Sequence, residues 1–297
     1  MLLRSVAIVA FLMGRQKYYG KLPHPANSTL SVRKDVVMNP LDNPLDLTGR
    51  TVIVTGGTKG VGRGITDRFL SMGADVVITA RNEPDAPIMV DGREALFVAA
   101  DIRDPEQIGG VIAATLDRFG RLDVLINNAG GSPMADAATA SPRFSQAIVN
   151  LNLMAPLHFG QQANAVMQTQ AEGGSIINIG SISGIRPSPG SSAYGAAKAG
   201  LLNLSQTLAI EWAPKVRVNV VTGGIIETDQ AHLHYGDAEG IAAVARTIPM
   251  QRMGTPTDIA DACLFLASPL AGFITGANLT VHGGGERPSF LDAATVD

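Results

Sequence analysis

Tyr194 and Lys198 are the residues whose spacing first suggests chemistry, in the run Tyr194-Gly195-Ala196-Ala197-Lys198. On a helix this separation puts both side chains on one face, one turn apart, so the ammonium can sit beside the phenol. Such a neighbour favours the phenolate. A free tyrosine titrates near pH ~10, and bringing it to about 7 takes ~4 kcal/mol of differential stabilisation. A tyrosine adjusted in this way can pass a proton to or from an alcohol oxygen at neutral pH. Taken alone, the pair is a common surface arrangement on solvated helices, so its meaning depends on the elements around it.

Those elements begin at Thr51. Thr51 to Thr55 is a β-branched run of strand length. Gly56-Gly57-Thr58-Lys59-Gly60-Val61-Gly62 follows, and then a helical pattern carrying Ile65, Phe69, Leu70 and Met72. A strand, a glycine turn and a helix make a cradle for a phosphate, because N–H groups at the helix start face the anion and glycine permits its close approach. The second strand runs from Asp75 to Ala80. A site for NAD presents an acid at that strand's end, to bind the ribose 2′-hydroxyl. Here Ala80 is followed by Arg81. Arginine suits a 2′-phosphate, and Lys59 can approach the same group, so NADP(H) is the expected cofactor, with NAD(H) the alternative. Leu96 to Ala100 is a third strand ending in Asp101, and Pro105 to Phe119 is a helix with proline in its first turn. Leu122 to Ile126 is a fourth strand, leading into Asn127-Asn128-Ala129-Gly130. This alternation predicts an α/β fold with a parallel, doubly wound sheet.

Composition narrows the class. With 45% hydrophobic and 16% charged residues over 297 positions, the chain is globular. Its single cysteine, Cys263, cannot form an internal disulfide, and apolar neighbours place it in the core. Six of the 23 basic residues and none of the 26 acids fall in residues 1–34, so the remainder carries a net charge of −9. An acidic body argues against nucleic acid as a partner. The apolar run Val6 to Met13 is too short to span a bilayer, which needs about 20 residues, so stable membrane insertion is not expected. Residues 1–44 can be read as a poor secretory signal, an organellar presequence or an extension without a role. The third reading is favoured, with a single domain over 45–290, a tail over 291–297 and a cytoplasmic location. An organellar location is the alternative if residues 1–34 act as a presequence.

Taken together, the motifs closely resemble those of the short-chain dehydrogenase/reductase family in its single-domain branch. The T-G-x-x-x-G-x-G turn is Thr55 to Gly62, N-N-A-G is Asn127 to Gly130, and Asp101 lies between them. Ser181 stands thirteen residues before Tyr194, and Asn152 fits the family's asparagine, with Asn150 as the alternative register. The likeness continues through Arg217-Val218-Asn219-Val220 and Ile274-Thr275-Gly276 to Gly283-Gly284, and covers residues 45–285. It implies a Rossmann-type sheet of about seven strands with helices on both faces, a three-layer α/β/α sandwich. Two departures stand out. Gly180 precedes Ser181 where a second serine is common, leaving Ser183 as the fallback. Gly223-Gly224 replaces the usual Pro-Gly and is expected to give a looser turn.

The residues and the resemblance converge on hydride transfer between C4 of a nicotinamide and a carbonyl or secondary-alcohol carbon. Tyr194 is the expected general acid in reduction and base in oxidation, Lys198 lowers its pKa, and Ser181 hydrogen-bonds the substrate oxygen. The resemblance further implies that Lys198 holds the nicotinamide ribose and that Asn152 positions a water. It places Gly56, Gly60 and Gly62 at the pyrophosphate, Lys59 and Arg81 at the 2′-phosphate, and Asp101 and Ile102 at the adenine. Asn128 and Gly130 fall at the nicotinamide side, and Ile226 and Thr228 at the carboxamide and phosphate. Thr58, Val61, Ala129 and Gly224 lie beside them.

A lid from Thr228 to Met250, including His232, His234 and Tyr235, is expected over an apolar substrate pocket walled by Ser132, Pro133, Ile185, Arg186 and Pro187. No cluster at ligand spacing joins the two histidines, so no metal is expected. Leu201, Leu204, Leu208 and Trp212 form a stripe that should face the sheet. The resemblance implies that this helix and one from about Ser145 to Thr169 meet partner copies in a homotetramer, or alternatively a dimer. Two other functions compete with a small-carbonyl oxidoreductase. A 3-oxoacyl carrier-protein reductase would need a basic docking patch, and a non-catalytic dinucleotide sensor would be free to lose the tyrosine.

Overall fold

Three of the nine strands among the described residues show how the sheet is held. In β1 (Thr51–Thr55) Val52 and Val54 pack into one hydrophobic cluster and Ile53 into another, because successive side chains point to opposite faces. β2 (Asp75–Ala80) and β6 (Val124–Asn127) divide in the same way, so helices must cover both faces. This computed structural model describes residues 43–229 and 231–293. The basic extension as far as residue 42, and residues 294–297 of the expected tail, lie outside the described residues.

The remaining sheet strands are β5 (Leu96–Ala99), β7 (Gly174–Ser181), β8 (Val216–Gly223) and β9 (Asn278–Val281), and the sheet order is β5-β2-β1-β6-β7-β8-β9. Every pairing is parallel. On one face lie α1 (Gly60–Ser71) and α8 (Pro256–Ala267), with Cys263 fully buried between them and the sheet. On the other lie α2 (Pro105–Phe119), α4 (Ala155–Met167) and α5 (Ser192–Glu211). Chain order reverses direction between β1 and β6, and in such sheets the crevice beyond the strand ends at that point takes the ligand.

The structure departs from the sequence reading in three places. The third and fourth strands are Leu96–Ala99 and Val124–Asn127, offset by one or two residues from the expected runs. Between β2 and β5 the crossover carries a two-strand hairpin, β3 (Met89–Val90) with β4 (Arg93–Glu94), where the alternation leads one to expect a helix. The helix expected from about Ser145 starts earlier, as α3 (Pro142–Val149), with the Ser141 hydroxyl accepting from Phe144 N at 3.2 Å. It passes through a π-helical turn at Asn150–Met154 before continuing as α4. Pro156, at the start of α4, has no N–H to return to the helical ladder, which suits a wider turn just before it.

The helix carrying the Tyr/Lys pair is pinned to the sheet by buried polar groups. Asn127 Nδ2 donates to Asn178 Oδ1 at 2.8 Å, Asn178 Nδ2 donates to Ser205 Oγ at 2.8 Å, and Ser205 Oγ donates to Leu201 O at 2.6 Å. Leu201, Leu204, Leu208 and Trp212 face the core as the stripe requires. Two helices, α6 (His232–Tyr235) and α7 (Ala238–Thr247), occupy the stretch expected to form a lid, and α9 (Ser289–Ala293) ends the described chain. Among the described residues no helix is long and apolar enough to cross a membrane.

Candidate active site

A cleft of about 530 Å³ runs along the C-terminal ends of the strands. Every residue expected to touch the cofactor lines it: Gly56, Thr58, Lys59, Gly60, Val61, Gly62, Arg81, Asp101, Ile102, Asn128, Ala129, Gly130, Tyr194, Lys198, Gly224, Ile226 and Thr228. Ser181 lines it too.

The middle of the cleft is the glycine turn. The residue before α1, Lys59, is extended and gives no side-chain cap, and the first helical turn contains no acid. Its leading N–H groups therefore lack an internal partner, and an anion can supply one. A Cβ on Gly62 would stand 2.1 Å from the Gly56 carbonyl oxygen and 2.4 Å from Asn128 Nδ2, so only glycine fits. Thr55 ties this turn to the one after β6: its Oγ1 accepts from Asn128 N and Ala129 N, both at 2.9 Å, while Asn128 Nδ2 donates to Thr55 O at 2.8 Å.

At one end Arg81 is exposed, as is Lys59, and neither forms an ion pair among the described residues. Asp101 is held by Arg103, which the sequence reading missed. Arg103 N and Nε donate to Asp101 Oδ1 at 3.0 and 2.9 Å. This hydrogen bonding, with the Arg103 and Arg81 charges adding to it, holds the carboxyl at a pKa of about 2. The signal available was a basic residue two positions beyond an acid at a strand end, the spacing of an Asx turn. These features fit a dinucleotide: a cradle of free N–H groups, a close approach only glycine allows, and two exposed cations outside any ion pair among the described residues.

The other end holds the proton chemistry. Ser181 is the last residue of β7; its hydroxyl accepts from Ser183 N at 3.2 Å and lies near enough to the Tyr194 phenol to lower its pKa. Ser183, the fallback, is engaged with Ser188 at 3.1 Å. Lys198 Nζ lies 5.7 Å from the Tyr194 ring centroid and donates to Ile179 O at 2.7 Å. Burial raises the Tyr194 pKa, and the nearby Ser181 hydroxyl opposes it. The ammonium is itself 3% exposed and hydrogen-bonded to backbone, and burial pushes its own pKa down to about 8.

Asn152 sits beneath the cleft and does not line it. Its Oδ1 accepts from Gly131 N at 2.9 Å, and its Nδ2 donates to Gly131 O at 3.0 Å and to Ile148 O at 2.9 Å. The π-helical turn brings that amide under the loop after β6. The looser turn expected at Gly223-Gly224 is also corrected. Gly224 N donates to Val281 O at 2.9 Å, and a Cβ on Gly224 would meet His282 Cβ at 2.6 Å, so the turn is tightly packed against β9.

A second cavity of about 200 Å³ shares Gly224 with the cleft. Ile182, Ile185, Ile225 and Ile248 give it an apolar wall, and Arg186, His282 and Glu286 complete it. Of the expected pocket residues Ile185 and Arg186 line it, whereas Ser132, Pro133 and Pro187 do not. His232 is exposed on α6.

Known proteins match over most of this chain. The family model described as Enoyl-(Acyl carrier protein) reductase covers residues 56–286. An uncharacterized oxidoreductase of Mycobacterium tuberculosis is 36% identical over 257 residues, 84% of this chain and 97% of that protein. The 3-oxoacyl-acyl-carrier-protein reductase FabG of Chlamydia pneumoniae is 35% identical over 246 residues, 81% and 98% of the two chains. Among solved structures, the ligand-free aldohexose dehydrogenase of Thermoplasma acidophilum is 30% identical with a TM-score of 0.75, covering 85% of this chain and 98% of its own.

Proposed function

The chain belongs to the short-chain dehydrogenase/reductase family and is an oxidoreductase of CH–OH and C=O groups, and from that premise we propose that it is an NADP(H)-dependent reductase of small, apolar ketones. The observation that carries this reading is that Ser181, Tyr194 and Lys198 line one cleft, which shares Gly224 with an isoleucine-walled cavity. A carbonyl oxygen placed between the two hydroxyls receives a hydrogen bond from Ser181 and a proton from Tyr194 as charge develops on it. When bound, the nicotinamide supplies or accepts the hydride. Lys198 holds the ribose hydroxyls and, as a cation, favours the phenolate left after proton transfer. Asn152 orders the loop at Gly131 and, in this reading, a water that returns the proton. The stretch carrying α6 and α7 closes over the substrate. The reading includes a cytoplasmic homotetramer joined through α5 and the helical run 142–167, with a dimer as the smaller assembly.

A second reading, reduction of 3-oxoacyl carrier-protein thioesters, is favoured by the 35% identity to FabG and disfavoured by the acidic body, which lacks the net positive charge that would attract an acidic carrier. A panel of methyl ketones, secondary alcohols and a 3-oxoacyl thioester, followed by absorbance of the reduced cofactor, separates the two. Turnover confined to the thioester would replace the first reading with the second. Turnover of nothing, with NADPH bound, would favour a dinucleotide sensor.

Cofactor choice has its own test. Arg81→Ala is expected to weaken NADPH binding by about 10- to 100-fold, the scale of a lost charge-assisted hydrogen bond, and NADH binding by less than about threefold. Fluorescence titration of both nucleotides measures this, and equal losses would remove the argument from Arg81.

A further inference from the structure

Arg186 and Glu286 face each other across the wall of the isoleucine cavity, although they are 100 positions apart in the chain. Arg186 lies five residues beyond Ser181, and Glu286 comes from the segment after β9. One guanidinium nitrogen pairs with the Glu286 carboxylate, and another donates to Pro187 O at 2.8 Å. Both side chains are only partly exposed, at 37% and 32%. Tyr235, on α6, feels both charges.

We propose that this ion pair is a charge gate that makes the pocket select neutral carbonyl compounds over those bearing a carboxylate. The proposal rests on the ketone-reductase reading and specifies its substrate class. A neutral tail entering the cavity meets four isoleucines and a pair whose charges already compensate each other. A carboxylate entering there meets the Glu286 charge and must take Arg186 from it, while no lysine and no other arginine lines this cavity among the described residues. Discrimination therefore comes from a repulsive element built into the pocket, with Arg186 held out of play.

The substrate pair that tests the gate is 2-heptanone and 6-oxoheptanoate, which differ only in a terminal methyl against a carboxylate. The parent enzyme is expected to prefer 2-heptanone by at least about tenfold in kcat/KM. Glu286→Gln leaves Arg186 without its counter-charge. It should raise the ratio of kcat/KM for 6-oxoheptanoate over that for 2-heptanone at least about tenfold, chiefly through KM for the acid. Arg186→Gln exposes Glu286 and should move 6-oxoheptanoate the other way, so a fold defect in one variant leaves the other to decide. Unchanged preference in a folded variant that still reduces 2-heptanone overturns the gate. Heptanoate binding by calorimetry keeps the two readings apart, since it needs no turnover. At least about tenfold tighter binding by Glu286→Gln than by the parent supports the gate, and equal affinity overturns it. Failure of the parent to reduce any ketone would overturn the functional reading alone.

Discussion

Tyr194→Phe is expected to leave the protein folded and to lower kcat/KM for every ketone it reduces by about 10²- to 10⁴-fold, the range that a positioned general acid contributes. The substitution removes one oxygen and keeps the ring. In the structure Ser181 is the side chain that acts on that oxygen among the described residues, lowering the phenol's pKa against the effect of burial. The loss of stability should therefore stay within about 1 kcal/mol, no more than the net contribution of a typical hydrogen bond. NADPH affinity should change little, because the glycine cradle and Arg81 lie at the far side of the cleft from the phenol. The combination separates chemistry from scaffolding: thermal midpoint and cofactor Kd stay close to the parent while kcat falls. A Phe variant as active as the parent would end the proposal that this phenol moves the proton.

What the sequence made legible was short-range. The glycine turn, the Asn128 loop and the Tyr194/Lys198 pair are each defined within a few residues by spacing that a strand end or one helical turn imposes. All of them line one cleft, because the parallel sheet delivers every strand's C-terminal end to the same edge. What the sequence concealed depends on partners far along the chain or on burial. The hairpin at Met89–Glu94 stands where alternation implies a helix, since two-residue strands leave no periodicity to read. The π-helical turn at Asn150–Met154 keeps an apolar pattern that an α-helix would also show. The Arg186–Glu286 pair joins residues that no local pattern connects. Spacing puts a cation near Tyr194 without revealing how dry the site is. Desolvation acts on both groups, lifting the phenol and depressing the lysine.

That depressed lysine leads to a prediction of opposite signs for stability and activity. Lys198 titrates near 10.5 in the unfolded chain and at about 8 in the folded one, because burial penalises its charge. Between those values the unfolded chain holds more protons than the folded protein, so stability rises as pH increases from about 8 to 10.5. Below pH 8 the whole penalty is present, about 3 kcal/mol from the shift. Lys198→Met removes the charge and keeps most of the side chain's volume, at the loss of one hydrogen bond to Ile179 O. The ligand-free variant is therefore expected to be about 1 to 3 kcal/mol more stable than the parent at pH 7, with that advantage shrinking toward pH 10. Its kcat/KM should nevertheless fall by about 10²-fold or more, because the cation that holds the ribose and favours the phenolate is gone. Urea denaturation of both proteins at pH 7 and 9.5 gives the stability difference at each pH, and steady-state assays give the activity. A variant that is less stable at pH 7, by a margin that does not change with pH, would show that the buried ammonium is no burden on the fold. A gain in stability beside a collapse in rate would show that this charge is retained for its action on Tyr194 and the cofactor, at the expense of a more stable core.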